Sequence, residues 1–319
     1  MAPLAPVTIA TRGSRLALRQ AETIADLLRR SRRGLDVRLE VITTKGDRDH
    51  RPFAATAGRG LFTGEVERAV AEGRADLAVH SAKDLTAELA PGCLIACIPS
   101  RRPVEDVVVG GSGETGEERL AALPAGAAVG TSSMRRRTLL AELRPDLEVV
   151  ELRGNLDTRL RRVAEGDIEA AVVAAAGLAR LGLGELAPLD PERWVPAPGQ
   201  GALAVEARSD RSDLLELLAE HDDAGTRAEV TCERAFAAHL EGGCSVPLGC
   251  LARCREGNLV VAAYLGSPFG GDSFRDRISG RASEAETLGA ELAEAILRAG
   301  GDEVMAEVRQ SDAPEVVAP

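Results

Sequence analysis

Short apolar segments alternate with amphipathic segments of helical period through the first two thirds of the chain, and no other feature constrains the fold as strongly. Alternating or fully apolar stretches predict strands, and apolar residues recurring every three to four positions predict helices. Strands that alternate with helices imply a mostly parallel sheet covered on both faces. In the first part of the chain we predict strands at 7–10, 37–43, 76–80 and 107–109, and helices at 16–28 and 61–71.

A second unit of similar size repeats the alternation. Four prolines between positions 188 and 198 then form a stiff crossing into a strand at 202–207. We expect this late strand to return to the first unit, so that the two units enclose a cleft. The second unit has predicted strands at 127–130, 148–152 and 168–173, and predicted helices at 133–143, 156–164 and 176–181.

From residue 226 the pattern changes to a small α+β unit. Thr226 to Glu229 has the form of a capping box, which predicts a helix from there to about residue 240. Ser283 to Glu286 is predicted to cap the last helix. Short strands are predicted between these helices, near 248–253, 259–265 and 274–279.

A chain of 319 residues is too long for one ordinary core, so we predict an α/β protein of three domains. Two α/β domains form the cleft, and a small α+β domain follows. The predicted limits are residues 1–100 with 200–220 for domain 1, 105–196 for domain 2, 224–309 for domain 3 and 310–319 for a frayed tail.

Composition excludes several classes of function. The net charge is −11 and the isoelectric point is about 5.1, so no chain-wide field attracts nucleic acid or an acidic membrane. Aromatic residues make up 2% of the chain, too few for the stacking platforms of single-strand binders. The sequence shows no signal peptide, and no apolar run reaches the length of about 18 residues that a membrane-spanning helix needs. The cysteines are predicted to be reduced thiols. We therefore expect a cytoplasmic protein that binds neither nucleic acid nor membrane.

Basic residues are concentrated at four predicted strand-to-helix turns, although the chain is acidic overall. Lys45 and Lys83 are the only lysines among 39 cationic residues. Ligands of doubly wound sheets bind beyond the carboxyl ends of the strands, so guanidinium groups at these turns are suited to an anion. Alternatively, the arginines extend into solvent or pair with Glu142 and Asp146. The four turns are residues 11–14, 80–84, 131–137 and 153–155.

Asp84 is the lone carboxylate in this basic rim. Nearby cations favour its ionised form, which suits acid/base chemistry or the stabilisation of a cationic intermediate. An ordinary salt bridge between Lys83 and Asp84 is the alternative. His80, at the same strand end, fits a packed core histidine better than a catalyst.

Cys244 follows a Gly-Gly pair at the end of a predicted helix, where the helix dipole disfavours a thiolate. This position suits a covalent anchor that is made once better than a nucleophile of every turnover. We predict no metal site, because the chain lacks a CxxC pair and any common zinc spacing. The alternative is a metal site built from four cysteines, Cys232, Cys244, Cys250 and Cys254. The two remaining thiols, Cys93 and Cys97, read as buried and apolar.

Eight segments, taken in order, make the chain resemble the porphobilinogen deaminases, also called hydroxymethylbilane synthases. The resemblance covers about residues 7–310, and the eight motifs are far more specific together than singly. The segments are Ile9 to Arg12, Thr44 to Asp47, Gly60 to Phe62, Ala75 to Asp84, Val129 to Arg136, Leu152 to Asn155, Pro198 to Gly201 and Glu241 to Cys244.

This resemblance implies two domains related to type II periplasmic binding proteins, an active site between them, and a third domain. It implies a transferase of tetrapyrrole (haem) biosynthesis. Such an enzyme joins four porphobilinogen molecules head to tail, loses ammonia at each step and releases hydroxymethylbilane by hydrolysis. Members of the family are usually monomeric.

The resemblance also implies roles for single residues. A dipyrromethane cofactor, made from the substrate, is held by a thioether to Cys244, and Asp84 is catalytic. Loss of ammonia leaves a cationic azafulvene that the Asp84 carboxylate can stabilise, and arginines suit the acetate and propionate of each pyrrole. The implied cofactor-binding residues are Cys244, Lys83, Ser133, Arg135, Arg136, Arg153 and Arg159. The implied substrate-binding residues are Arg12, Ser14, Arg153, Arg180 and Gln200.

The sequence departs from the family pattern at four positions. Ala55 stands roughly where a basic residue precedes the Gly-rich lid, and Arg59 replaces a usual lysine, so we assign no residues to the lid contacts. Thr86 and Ser245 replace a common proline and a common glutamine. Two rival functions are a non-catalytic two-lobed protein that binds small carboxylate anions and a metal-dependent enzyme.

Overall fold

The computed structural model describes residues 6–44, 63–184, 187–241, 246–268 and 271–312. Within these ranges the strands form three sheets, and each sheet contributes to its own buried hydrophobic cluster. Two similar α/β lobes are followed by a small α+β unit, so the predicted fold class is confirmed. None of the described helices has the length and apolar character needed to span a bilayer.

A five-stranded sheet forms the first lobe, and helices cover both of its faces. Its strands are β1 (Val7–Arg12), β2 (Val37–Ile42), β3 (Leu77–Ser81), β4 (Cys93–Cys97) and, much later in the chain, β9 (Leu203–Arg208). The spatial order is β2-β1-β3-β9-β4, in which β9 runs antiparallel to both of its neighbours. The covering helices are α1 (Arg15–Ser31) and α7 (Ser212–Ala219) on one face, and α2 (Gly64–Ala71) on the other.

A four-stranded sheet forms the second lobe. Its strands are β5 (Asp106–Gly110), β6 (Ala128–Gly130), β7 (Glu148–Val150) and β8 (Ala170–Ala174), in the spatial order β5-β8-β6-β7. β5 is antiparallel to β8, whereas β6 pairs in parallel with β7 and β8. The helices are α3 (Gly116–Ala122) and α4 (Met134–Leu143) on one face, and α5 (Leu156–Ala164) and α6 (Ala175–Leu181) on the other.

The two lobes share one strand order if the edge strand β4 is set aside. In each lobe the second, first and third parallel strands are followed by one antiparallel strand, which is β9 in the first lobe and β5 in the second. Each antiparallel strand is the first that the chain forms after it crosses from the other lobe. The first crossing segment is residues 98–105, between β4 and β5, and the second is residues 187–202, between α6 and β9. The loops that follow the parallel strands of both lobes can therefore contact the same ligand.

The third unit is an antiparallel sheet covered by helices. Its strands are β10 (Leu248–Arg255), β11 (Asn258–Gly266) and β12 (Ser273–Arg281). Its helices are α8 (Ala224–His239), α9 (Ala285–Ile296) and α10 (Asp302–Asp312). Because each of the three sheets has its own core, we propose the domain limits given above.

Three predictions about helices in the third unit are wrong. α8 begins at Ala224, because the Asp223 carboxylate accepts the backbone N–H of Thr226 at 2.8 Å and caps the helix ahead of the expected capping box. α9 follows a 3₁₀ turn and has no side-chain cap. It is not the last helix, since α10 extends to Asp312, into the segment predicted to fray. Residues 313–319 lie outside the described part of the chain.

Glycines bring the second crossing segment close to the first lobe. Gly199 has φ +74°, and a Cβ there would lie 2.9 Å from the backbone carbonyl carbon of Ala82 and the backbone nitrogen of Lys83. Gly201 has φ +88°, and a Cβ there would lie 2.5 Å from the carbonyl oxygen of Arg102. Only glycine fits both the backbone conformation and the space. The Pro-Gly-Gln-Gly motif therefore holds Gln200 between the two lobes.

A buried ion pair joins both crossing segments to the third unit. The Arg101 guanidinium donates two hydrogen bonds of 2.8 Å to the carboxylate of Glu233, which lies on α8. The same carboxylate accepts the backbone N–H of Gly199 at 2.6 Å and that of Ala252 at 2.8 Å. Arg101 also donates to the carbonyl of Gln200 at 2.9 Å. One carboxylate thus ties the lobe crossings to a helix and a strand of the third unit.

We expect Arg101→Met to lower the free energy of unfolding by about 3–5 kcal/mol, because it leaves the Glu233 charge buried without its partner. Denaturant unfolding of the purified protein measures this change. The control is Arg298→Met, which removes an exposed pair with Glu294 at 3.2 Å and should cost about 0–1 kcal/mol. Equal losses in the two variants would contradict the importance of the buried pair.

Candidate active site

A pocket opens at the carboxyl ends of β1 and β3 in the first lobe. It has a volume of about 480 Å³, including space open to solvent, and Arg12, Ser14, His80 and Asp84 are among its lining residues. β1 ends at Arg12, and the Ser14 hydroxyl then caps α1 by accepting the backbone N–H of Ala17 at 3.2 Å. The pocket therefore contains three of the residues predicted to act on substrate.

A short 3₁₀ turn after β3 presents Asp84 at the surface of this pocket. The turn spans Ala82–Asp84 and directly follows the buried strand. Ala82 is buried, Lys83 is half-buried and Asp84 is exposed. The carboxylate is thus fixed by a rigid strand end and remains accessible to a ligand.

His80 is buried, as predicted for a core histidine, and it also lines the pocket. Its Nε2 lies 3.0 Å from the carboxylate of Glu206 on β9, which is fully buried. Cys93 is half-buried, and burial, followed by the charge of Glu206, raises the pKa of its thiol to about 11. The expectation of a buried apolar thiol is therefore wrong for Cys93, whereas Cys97 is buried.

Arg135 and Arg136 begin α4 in the second lobe, and both are buried rather than exposed to solvent. The Ser133 hydroxyl caps this helix through a long contact of 3.5 Å from the backbone N–H of Arg136. Each guanidinium donates a 2.7 Å hydrogen bond to the carboxylate of Asp106. The alternative interpretation, solvent exposure or pairing with Glu142 and Asp146, is therefore wrong for these two arginines.

Four charged groups from the two lobes influence one another across the cleft. Burial, followed by the charge of Arg136, lowers the pKa of Lys83 to about 8, although Asp84 acts in the opposite direction. Burial and then Arg136 also lower the pKa of Arg159 to about 10, again against Asp84. The cations crowd one another, so this part of the cleft is suited to an additional negative charge.

The other predicted arginines lie nearby but have different contacts. Arg153 is half-buried, and its Nε donates to Glu151 at 3.0 Å. Arg180 donates to the carbonyl of Gly201 at 2.7 Å, and burial followed by the charge of Arg102 lowers its pKa to about 10. The structure therefore places Arg180 beside the crossing segment.

Gln200 connects the lobes through its side chain. Lys83 Nζ donates to its Oε1 at 3.2 Å, and its Nε2 donates to Asp106 Oδ1 and to the Val104 carbonyl, both at 2.8 Å. Sequence reasoning missed Asp106, although an acidic residue at the start of an otherwise apolar strand indicates a buried charge that needs hydrogen-bond partners. It also missed Trp194, the single tryptophan, whose indole N–H donates to Asp106 Oδ2 at 2.8 Å.

Cys244 lies outside the described residues, as do Ala55, Arg59 and Ser245. Five other cysteines are free thiols. Within the described ranges there is no group of three or more His, Cys, Asp or Glu residues able to hold a metal ion.

Comparison with known proteins identifies the family. Residues 7–216 match the model described as porphobilinogen deaminase, dipyromethane cofactor binding domain, and residues 227–298 match the model of its C-terminal domain. The chain belongs to the porphobilinogen deaminase family. The porphobilinogen deaminase of Roseiflexus castenholzii is 48% identical over 303 residues, covering 94% of this chain and 98% of that protein. The porphobilinogen deaminase of Nitratidesulfovibrio vulgaris is 45% identical over 316 residues, covering 97% and 98%.

Similarity to solved structures is weaker. A ligand-binding component of an ABC-type import system from Staphylococcus aureus is 12% identical and has a TM-score of 0.39, covering 73% of this chain and 74% of that one. A score this low does not define a shared fold. Family membership therefore rests on sequence.

The donor groups of the cleft fit the cofactor that defines the family's first domain. Lys83, Arg136 and Arg159 supply closely spaced cationic donors, and dipyrromethane carries carboxylates. The Nε atoms of Arg135 and Arg136 are buried and have no hydrogen-bond partner. Buried donors are usually satisfied, so these two atoms are further candidates for ligand contacts.

In cofactor-free protein, for which Cys244→Ser serves, we expect Lys83 to titrate near pH 8 and to shift to higher pH when a polycarboxylate binds, because an anion stabilises the protonated amine. Binding should weaken as the pH rises above about 8, where the amine loses its charge. Because the chain has only two lysines, carbon-13 reductive methylation gives few NMR signals, and Lys83→Arg assigns the relevant one. A Lys83 midpoint at the ordinary value of 10.5 would contradict the crowding of cations.

Proposed function

We propose that this chain joins four porphobilinogen molecules head to tail, with loss of ammonia at each step, and releases hydroxymethylbilane by hydrolysis. The observation that supports this most strongly is the place of Asp84, which lines the first-lobe pocket together with Arg12 and Ser14 and acts electrostatically on Arg159 of the second lobe. An exposed carboxylate thus lies among cations from both lobes. Family membership over nearly the whole chain supports the same function.

Asp84 is the proposed catalytic residue. Loss of ammonia from porphobilinogen leaves a cation on the departing carbon, and a fixed carboxylate stabilises positive charge where it develops. The same carboxylate can hold a proton at the pyrrole nitrogen while the new bond forms. Its place on a 3₁₀ turn after a buried strand limits the motion of its backbone.

The cations of the cleft are proposed to hold the carboxylates of the cofactor and of the growing chain. We assign the cofactor to Lys83, Ser133, Arg135, Arg136, Arg153 and Arg159. We assign the incoming substrate to Arg12, Ser14, Arg153, Arg180 and Gln200. The acidic chain concentrates these donors at one place, so a polycarboxylate is attracted there and not to the surface as a whole.

Cys244 is the proposed attachment point of dipyrromethane through a thioether. When bound, the cofactor supplies the fixed anchor on which the pyrrole chain grows. The segment that carries Cys244 follows α8, and Glu233 ties α8 to the lobe crossings. The proposed anchor position therefore follows, in sequence, a helix that is hydrogen-bonded to the second crossing segment.

We also propose that the protein acts as a monomer in the cytoplasm, without a nucleic-acid or membrane partner. A non-catalytic carboxylate-binding protein would use the same arginines but would have no need of Asp84 or Cys244. The two variants below separate that alternative from the enzyme.

We expect Asp84→Asn to lower kcat by about 100- to 10,000-fold, because the amide keeps the shape of the side chain but cannot stabilise a cation or carry the proton. Steady-state formation of hydroxymethylbilane measures the effect, and circular dichroism checks the fold. The control is Glu88→Gln, which changes an exposed carboxylate on the same loop and should leave kcat unchanged. Wild-type turnover by Asp84→Asn would rule out the catalytic assignment.

We expect the wild-type protein, purified from cells that make porphobilinogen, to exceed its sequence mass by one dipyrromethane. Cys244→Ser should have the sequence mass and should form no hydroxymethylbilane, because a serine hydroxyl does not form the thioether. Intact-mass spectrometry measures both proteins. Cys232→Ser is the control, since Cys232 is a buried thiol of α8 outside the proposed anchor segment, and it should keep the added mass. Retention of that mass by Cys244→Ser would show that another residue holds the cofactor.

A further inference from the structure

The carboxylate of Asp106 is fully buried at the start of β5, and four donors share its two oxygens. Oδ1 accepts from Arg136 at 2.7 Å and from Gln200 at 2.8 Å. Oδ2 accepts from Arg135 at 2.7 Å and from Trp194 at 2.8 Å. Burial alone would raise the pKa of Asp106, but the two guanidinium groups hold it well below its usual range. The group is therefore a fixed negative charge at the junction of the lobes.

Asp106 determines which way the Gln200 side-chain amide faces. The Gln200 NH₂ group donates to Asp106 Oδ1 and to the Val104 carbonyl, both at 2.8 Å. A flipped amide would set its oxygen against a carboxylate and a carbonyl, so that orientation is strongly disfavoured. Oε1 consequently faces the first lobe, where it accepts from Lys83 Nζ at 3.2 Å. Asp106 thus acts on Lys83 through one neutral side chain.

Asp106 also holds Arg136, a cation whose charge acts on Lys83. The Arg136 guanidinium is anchored by Asp106 at 2.7 Å and by the Val172 carbonyl at 2.9 Å. The charges that act on Lys83 are Arg136 and Arg135 from α4, Asp84 from its own turn, and Asp106 from β5. Arg136 and Arg135 disfavour its protonated form, and Asp84 and Asp106 favour it.

We propose that Asp106 is a positioning residue of the reaction, which orients Gln200 to hold Lys83 in place beside Asp84 and offsets the charge of Arg136, so that Lys83 stays charged. Asp106 is buried and is not proposed to touch substrate. The inference rests on the proposed function, because it concerns how the side chains of that cleft hold its cations in position. It goes beyond the proposed ligand contacts of Lys83 and Gln200, because it attributes the arrangement of these two side chains to Asp106.

The test compares Asp106→Asn with Trp194→Phe. Both remove a hydrogen bond from the same buried carboxylate site, but only Asp106→Asn removes the negative charge. Without that charge Lys83 should lose its proton at lower pH, so its NMR midpoint should fall by roughly 0.5–1.5 pH units relative to wild-type protein with the same cofactor content. The alkaline limb of kcat/KM should move down by a similar amount. Trp194→Phe should lower stability and leave both midpoints in place.

An unchanged Lys83 midpoint in Asp106→Asn overturns the inference, whether or not the protein turns over. A lower Lys83 midpoint with an unmoved kcat/KM profile overturns it too, because the charge of Lys83 would then not matter for the reaction. If Asp106→Asn fails to fold, Gln200→Met replaces it, since this variant cuts the link and keeps the Asp106 charge. Its Lys83 midpoint should also fall, and a constant midpoint is the contrary result. Failure of the proposed function would be seen separately, because the wild-type protein would then form no hydroxymethylbilane.

Discussion

The carboxylate of Asp106 is the interaction on which the arrangement of the cleft depends. An ionised carboxylate is costly to bury, and here two guanidinium groups, an indole and an amide offset that cost. Each of these donors belongs to a segment that either lines the cleft or crosses between the lobes. Satisfying one buried charge therefore fixes the start of α4, the second crossing segment and the strand β5 relative to one another.

A second buried carboxylate extends the same principle to the third unit. Glu233 accepts from Arg101, from the backbone of Gly199 and from the backbone of Ala252. Gly199 is also in close contact with the turn that carries Asp84. The crossing segment is thus held on one side by the helix that precedes the Cys244 segment and on the other by the proposed catalytic turn. Polar contacts, and not apolar packing alone, set the relation between α8 and the turn that carries Asp84.

The charge distribution explains how an acidic protein can bind a polyanion. The net charge of −11 comes from the excess of acidic residues over the whole chain, whereas Lys83, Arg136 and Arg159 act on one another in the cleft. The lowered pKa values of Lys83 and Arg159 reflect burial and then the charge of Arg136, and a bound carboxylate would offset that charge. The cations of the cleft are therefore preorganised for an anionic ligand, although they repel one another when no ligand is bound.

The sequence by itself determined the alternation of strands and helices, the change to α+β after the second crossing, and the family, because these depend on local periodicity and on short motifs. It also placed Asp84 and the arginine turns at strand ends, since a strand followed by a helix fixes where its carboxyl end lies. Only the tertiary structure decided that Arg135 and Arg136 bind Asp106, that Asp223 caps α8 before the expected capping box, and that Glu206 lies behind His80. Arg135 and Arg136 are about 30 residues from Asp106, and His80 is 126 residues from Glu206, so no local pattern carries these pairings. They arise because burying one charge requires whichever partner the folded chain brings within hydrogen-bonding distance.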